Sequence, residues 1–368
     1  ASFGVEAAIP NPIPVDRSKT STSVAVARIA LAELIAENKL DARAIQTWAR
    51  SKLAERSTIQ QKRAEVKTET TDTAYSMQFH PVPGGTFRMG EPQKHVEVTL
   101  THTIEVLSTP VTQAMWVDLM GDNPSEFAGG EARITKVVNG KEVVLQPNHP
   151  VENITWWAAI IFANKLSEKH GLRPAYDLRG LKFVEVIDRM ARKLKKEKIA
   201  DAIARGKIAT SSERGPKINA AQGDIYQAEG YRLPTEAEQE YLLRAAGTMK
   251  RPFSNKVLSE YAWFAVPWDP NNSHDLTHTV AEKKPILVGG HALYDLYGNV
   301  NEWSHSWGSD ELVGGVNPIG GSNDSFGKVI KGGSWADAAE FLRPGRTRTS
   351  EDDVGSDHIG FRLVRTLK

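Results

Sequence analysis

Two carboxylates seven residues apart, Asp295 and Glu302, bracket a Gly298-Asn299 pair. A glycine-containing turn can fold backbone carbonyls inward while the flanking acids converge, and such an oxygen-rich set suits a hard cation. The competing reading is that both acids cap turns by accepting backbone N–H groups. His274 and His278 have the spacing of one helical face, but no glutamate stands between them in the metalloprotease pattern and the stretch reads as loop. Zinc is therefore disfavoured there. The chain has no cysteine among its 368 residues, which removes disulfides, thiolate metal sites and cysteine nucleophiles in one count.

The elements that must hold these groups fall into two textures. Residues 1–20 carry Pro10, Pro12 and Pro14, an extended lead-in. Residues 22–67 contain neither proline nor glycine, and Val26, Ile29, Leu31, Leu34 and Ile35 give a partly helical period. Two helices breaking near Asn38-Lys39 are expected, then a polar linker at 62–73. This arm packs on the main domain or another subunit, or serves a protein partner. After Tyr75, short β-like runs broken by Gly and Pro appear at 77–82, 85–89 and 95–107. Helices are expected at 112–120 and 156–170, and a charged helical insertion at about 182–224, helical over 182–207 and loop-like after it. The boundaries read as 1–74 for lead-in and arm, and 75–368 for the main domain.

Composition narrows the function classes. Lys plus Arg total 46 against 45 for Asp plus Glu, so no general polyanion-binding surface is indicated and nucleic acid is not an expected partner. No apolar run approaches the roughly 18 residues that cross a bilayer. A cysteine-free chain suits the cytoplasm and an exported, oxidising compartment equally well, so compartment stays open. Leu233-Pro234-Thr235-Glu236-Ala237-Glu238 reads as a helix start in which Thr235 and Glu238 form a capping box, a structural role. The glycine pairs at 84–85 and 332–333 permit tight turns and lack the Lys-Ser/Thr of a phosphate loop.

Several blocks, in order, resemble the formylglycine-generating-enzyme (sulfatase-modifying factor) family. They are Val82-Pro83-Gly84-Gly85-Thr86-Phe87-Arg88-Met89-Gly90, then Thr109-Pro110-Val111-Thr112-Gln113-Ala114-Met115-Trp116 with Gly121-Asp122-Asn123-Pro124 behind it. His149-Pro150-Val151-Glu152-Asn153-Ile154-Thr155-Trp156 and Gly230-Tyr231-Arg232-Leu233-Pro234-Thr235-Glu236 follow. The last are Asp295-Leu296-Tyr297-Gly298-Asn299-Val300-Asn301-Glu302-Trp303, Lys331-Gly332-Gly333-Ser334-Trp335 and Ile359-Gly360-Phe361-Arg362. The resemblance implies an α+β, irregular C-type-lectin-like fold, here with an N-terminal helical extension.

It also implies which chemistry is missing. In the oxygen-dependent enzymes of the family two cysteines follow the Gly-Gly-Ser motif and bind copper. The matching positions are Asp337 and Leu342, a hard oxygen ligand and no ligand, so no copper is expected. The branch that forms sulfoxides takes iron ligands from an added helical domain, and the first histidine of this chain is His80. A branch in siderophore maturation needs no cysteine pair and stays open. Carried over by position, a structural calcium would be held by the Asp295 side chain, the Gly298 and Val300 carbonyls and the Glu302 side chain. The family's second calcium depends on an asparagine with no match near Ala262-Trp263-Phe264. The family's substrate groove maps to Ser334, Trp335 and Asp337 at its floor, with Arg343, Arg346, Arg348 and Arg362 near its lining and His305 beside it. Guanidinium groups there suit carboxylates, sulfates or an extended peptide. The leading expectation is a non-oxidase, calcium-stabilised module that binds a peptide or small ligand. The alternative is an enzyme of altered metal chemistry that uses Asp337, His305 or His358.

Overall fold

The computed structural model describes residues 76–179, 183–185, 208–210, 216–247, 255–265, 276–321 and 327–368. The chain divides into two compact units, Ala1–Ala74 and Tyr75–Lys368. The first, with the expected helical arm, lies outside the described residues, as does His274.

The second unit is a mixed α/β assembly, rich in small sheets and poor in helix. Strands β1 (Phe79–Val82), β2 (Gly85–Glu91), β3 (Lys94–Leu100) and β4 (Ile104–Leu107) come first, so the expected 95–107 run breaks into two strands around residues 101–103. Helix α1 spans Gln113–Met120. Thr112 caps it by accepting from the Met115 N–H, and Gly121, at φ 94°, ends it in the left-handed conformation that glycine adopts cheaply. A hairpin of β5 (Ile134–Val138) and β6 (Lys141–Leu145) follows.

Helix α2 (Trp156–Lys169) is capped by Thr155, and its first nine residues are all buried. A helix apolar on every face belongs inside a core. Trp116 of α1 stacks on its Phe162 at 5.4 Å. Beyond α2, β7 (Tyr176–Asp177) is followed by β8 (Phe183–Glu185), β9 (Ile208–Thr210) and β10 (Lys217–Ile218). This corrects the sequence expectation at its start, because Phe183–Glu185 is a strand paired antiparallel with Ile208–Thr210. Val184 and its apolar neighbours fit the alternation of a strand as well as a helical period, and pairing decides between them. The rest of 182–207 lies outside the described residues.

Helix α3 (Glu236–Leu243) carries the expected capping box, with Thr235 accepting from the Glu238 N–H and the Glu238 carboxylate accepting from the Thr235 N–H. All eight of its residues are buried, and each glutamate meets a partner. Glu238 forks with Arg232, Glu240 takes Arg244 and Lys331, and Glu236 accepts from Thr347. The single-turn α4 (Asn255–Leu258), then β11 (Ile286–Val288) and β12 (His291–Leu293), lead into the central strand β13 (Asn301–Trp307). After β14 (Gly315–Val316) come β15 (Lys328–Lys331), β16 (Arg348–Ser350), β17 (Ile359–Gly360) and β18 (Val364–Thr366).

One four-stranded sheet, in the order β16-β15-β13-β17, carries most of the residues of interest. Its register sets Glu302 opposite Lys331 and Trp303 opposite Ile330. The sheet is backed on one side by the α1–α2 core, where Trp156, Trp157, Trp303 and Phe361 meet. A second core gathers β2, β3, α3 and Leu342. Among the described residues no helix is long and apolar enough to cross a membrane.

Candidate functional site

The turn after β15 brings Asp337 back onto β13. Gly332 and Gly333 have φ of 94° and 75°, and a Cβ on Gly333 would sit 2.6 Å from the Leu342 side chain, so only glycine fits there. The Asp337 carboxylate accepts from the Ser334 N–H (2.9 Å) and hydroxyl (2.7 Å), from Asn301 Nδ2 (2.9 Å) and from the Arg348 guanidinium. Burial opposes its charge, but the hydrogen bonds from Ser334, Asn301 and Arg348 outweigh burial and hold the carboxyl below its usual range. Three of the donors converge on Oδ2, and Oδ1 takes the Arg348 guanidinium. Asp337 is thus a fixed anion, sealed into its loop.

Leu342 ends a 3-10 turn, Ala339–Leu342, and is 2% exposed in the second core. It closes over Gly333 as packing. The arginines divide. Arg348 is spent on Asp337. Arg343 donates to the Glu340 carbonyl at 3.0 Å and lies 3.5 Å from Glu91. Arg346 is exposed, its guanidinium 5.4 Å from the Phe341 ring centre, and Arg348 lies 5.8 Å from the same ring. Trp335 meets Phe127 edge-on at 5.5 Å, and its Nε1 donates to the Asp357 carbonyl. Ser334, Asp337 and Arg348 are therefore linked by their own hydrogen bonds, and Asn301, which the sequence reading missed, ties them to β13.

The fourth arginine, Arg362, is fully buried and holds Glu302 in a fork. Nε lies 3.0 and 2.8 Å from the two carboxylate oxygens, and Nη2 lies 2.8 Å from Oε1. Nη2 also donates to the Asp295 carbonyl at 3.1 Å. Asp295, 2% exposed, accepts from the Ala281 N–H at 2.8 Å and from Asn299 Nδ2 at 3.3 Å. Its loop is sharply folded, with Asp295, Gly298 and Asn299 all at positive φ. Gly298 has to be glycine, since a Cβ would lie 2.1 Å from the Trp263 carbonyl oxygen. Burial pushes the Asp295 carboxyl up to about 6, against the Ala281 and Asn299 hydrogen bonds and the Arg362 charge. Two buried carboxylates thus lie about one buried guanidinium, and burial raises both of them. Both oxygens of Glu302 are already engaged by Arg362, so a cation bound there shares Glu302 with it.

His305 has other neighbours. It sits on β13 four residues beyond Asn301, about 13 Å along a strand. Its Nδ1 lies 3.5 Å from the Tyr176 hydroxyl, and its ring tilts against Trp156. Burial, then the Lys328 and Arg232 charges, hold its imidazole well below the usual range. Lys328 donates to the His305 carbonyl at 2.9 Å while its ammonium lies between two indoles, 4.1 Å from Trp156 and 3.7 Å from Trp307. Burial pulls this ammonium down to about 7, with the Asp352 charge acting the other way.

His278 stacks on Trp263 at 3.7 Å, and its backbone is bridged by Asn299. His358 takes both Ser356 Oγ (2.8 Å) and Asp357 Oδ1 (3.0 Å) on the same ring nitrogen, Nδ1. A nucleophile relay needs well-made bonds on opposite nitrogens, and Ser356 Oγ reaches Nε2 only at 3.5 Å, so these three residues form a local turn network. Among the described residues no three His, Asp or Glu side chains converge as metal ligands.

Residues 62–367 match the sulfatase-modifying factor enzyme 1-like domain. A chaperone protein LppX of Paenibacillus barcinonensis is 27% identical over 303 residues, covering 77% of this chain and 88% of that protein. The formylglycine-generating enzyme of Mycobacterium tuberculosis is 23% identical over 316 residues, with 77% and 96% covered. The solved structure of Treponema denticola variable protein 1 superposes with a TM-score of 0.57 at 30% identity, over 80% of this chain and 98% of that one. The chain belongs to the sulfatase-modifying factor enzyme 1-like family.

Proposed function

We propose that this chain is a non-oxidase member of its family, with a C-type-lectin-like fold, that binds a peptide or small ligand in the groove floored by Ser334, Trp335 and Asp337. The observation that carries this reading is the state of the two positions where the oxidases have cysteines. Asp337 is a carboxylate held by four donors, three of them on Oδ2, and Leu342 is core packing. Neither offers the soft thiolate that the oxidases use there. What this loop and the Glu126–Ala128 turn beside it present outward is recognition chemistry: the Phe127–Trp335 pair and the exposed Arg346 over Phe341. Guanidinium and aromatic groups together suit an anionic ligand with an apolar portion. A relative named as a chaperone protein fits a module that holds a polypeptide. Within the same proposal a calcium ion is held by Asp295, the Gly298 and Val300 carbonyls and Glu302, where two buried carboxylates lie about one buried guanidinium.

The test is a titration of the purified protein with acetyl-Asp-Phe-Asp-Phe-amide, followed by tryptophan fluorescence, with elemental analysis of the same sample. Saturable binding that Arg346→Ala weakens, with calcium as the bound metal, is expected. No binding, together with stoichiometric iron, copper or manganese, contradicts the reading and points to an enzyme of altered metal chemistry.

A further inference from the structure

A buried carboxyl stands directly behind the aromatic wall of the groove. Glu152 has no exposed surface. Its partners are two backbone N–H groups, Phe127 to Oε1 at 3.0 Å and Glu126 to Oε2 at 3.1 Å. Burial pushes this carboxyl up to about 8, the two N–H groups pull it down, and the charges of Asp357 and Glu126 push it up again. Among the described residues no cationic side chain acts on it. Burying a carboxyl without a cation is costly, and the two converging donors are what such a group can do at this place.

The donors belong to one short turn, Glu126–Ala128, whose central residue Phe127 has φ −87° and ψ 50°, outside the helical region. The other side of that residue is held as well, because its carbonyl accepts from Gln146 Nε2 at 2.9 Å and Gln113 Nε2 at 3.2 Å. Ser125 and Asn153 close the same loop, Ser125 Oγ accepting from the Glu152 N–H and Asn153 Nδ2 donating to the Pro124 carbonyl. The peptide of Phe127 is therefore gripped on both faces, and its ring is aimed at Trp335, 83° from coplanar. Trp335 is fixed independently, by its N–H to the Asn299 carbonyl and its Nε1 to the Asp357 carbonyl. Both rings remain partly exposed.

We infer that Glu152 is the positioning residue of this wall: its carboxylate sets the Phe127 turn so that the ring stands edge-on to Trp335 and forms a fixed surface for an apolar ring of the ligand. The inference rests on the groove-binding reading for its functional meaning, and on the geometry alone for the Phe127–Trp335 contact. A preorganised aromatic surface binds with less ordering cost than a mobile one.

Glu152→Leu removes both acceptors at similar volume, and Glu152→Gln keeps one acceptor oxygen. The readouts are the indole N–H resonance of Trp335, assigned by its loss in Trp335→Phe, and the affinity for acetyl-Asp-Phe-Asp-Phe-amide. At pH 9, where the carboxyl is ionised, Glu152→Leu should shift the resonance and weaken the probe about tenfold, the scale of one or two lost hydrogen bonds to a charged group, with Glu152→Gln between. In the wild-type chain the resonance should also move between pH 7 and 9, as the carboxyl ionises and accepts both N–H groups fully, and Glu152→Gln should flatten that profile. The titratable groups facing this turn are Asp357, Glu126 and, through Asp357, His358. If Glu152→Leu does not fold, the pH profile of the wild type against Glu152→Gln decides. A resonance unmoved in a folded Glu152→Leu, or a profile that survives in Glu152→Gln, overturns the inference. A wild-type chain that binds no probe overturns the groove reading instead, and the resonance still decides the role of Glu152.

Discussion

Replacing Lys328 by methionine should stabilise the protein at neutral pH and remove a slope from its pH–stability curve. The ammonium is 2% exposed and has one hydrogen-bond acceptor, the His305 carbonyl, with an indole on either side. Its folded value of about 7 lies below an ordinary 10.5, so between those limits the unfolded chain binds more protons than the folded one. Stability then rises with pH across that window and is lowest below about 7, where both states are charged and burial is charged for in full. With those two values the rise from pH 7 to pH 9 comes to about 2 kcal/mol, at 1.36 kcal/mol per unit of differential titration. Two cation–π contacts, each worth about 1–2 kcal/mol when desolvated, favour the charged form and reduce the slope. Urea denaturation of the wild type and Lys328→Met at pH 7, 8 and 9 measures it. The variant should be more stable at pH 7, and the gap should narrow by 1–2 kcal/mol at pH 9, about half to all of the estimated slope. Parallel curves would refute the reasoning, meaning that the indole faces keep the lysine charged throughout.

Leu342→Ala should cost about 2–4 kcal/mol in the same assay, because it opens a cavity above Gly333; a cost below half a kcal/mol would show that the position is not core. Chelation should lower the melting temperature of the wild type, and calcium should restore it better than magnesium, whose octahedral demands are stricter. Asp295→Asn should shrink that response, whereas a melting curve indifferent to chelator would leave Asp295 to its Ala281 and Asn299 hydrogen bonds alone. Glu302→Gln should cost about 3–5 kcal/mol whatever the metal content, since it strands the buried Arg362, and a smaller loss would mean the fork is not maintained in solution. Removal of residues 1–73 should leave the remaining chain folded, and an insoluble or molten product would assign the arm to the core.

Much of the scaffold was legible because local chemistry and tertiary packing agree. Thr112, Thr155 and Thr235 each stand one residue before a helix and each accepts a backbone N–H of its first turn, the Thr235 cap being the one read from the sequence. The Thr235–Glu238 box could be drawn from spacing alone. The strand at Phe183–Glu185 was not legible, since its residues fit a strand's alternation and a helical period alike and only the pairing with Ile208–Thr210 decides. The loop around Gly298 was visible as a turn, but the partner of Glu302 was not. Arg362 lies 60 positions later, and no sequence spacing announces that a fold will lay it across that carboxylate. Asn301 and Glu152 escaped for the same reason. Each looks like an ordinary polar residue in its block, and only the three-dimensional placement of Asp337 and Phe127 gives it work. A signal for Glu152 did exist: an acid between Val151 and the apolar run at Ile154 is an unusual thing to bury.

The most direct test of the account is incubation of the full chain with a Cys-Xaa-Pro-Xaa-Arg peptide, with and without copper, followed by mass spectrometry. The predicted result is an unchanged peptide, because Asp337 is tied to four donors and Leu342 lies in the core where two soft thiolates would be required. A loss of about 18 Da from the cysteine, the exchange of sulfur and two hydrogens for oxygen, would contradict it and show that oxidation proceeds here without the thiolate pair.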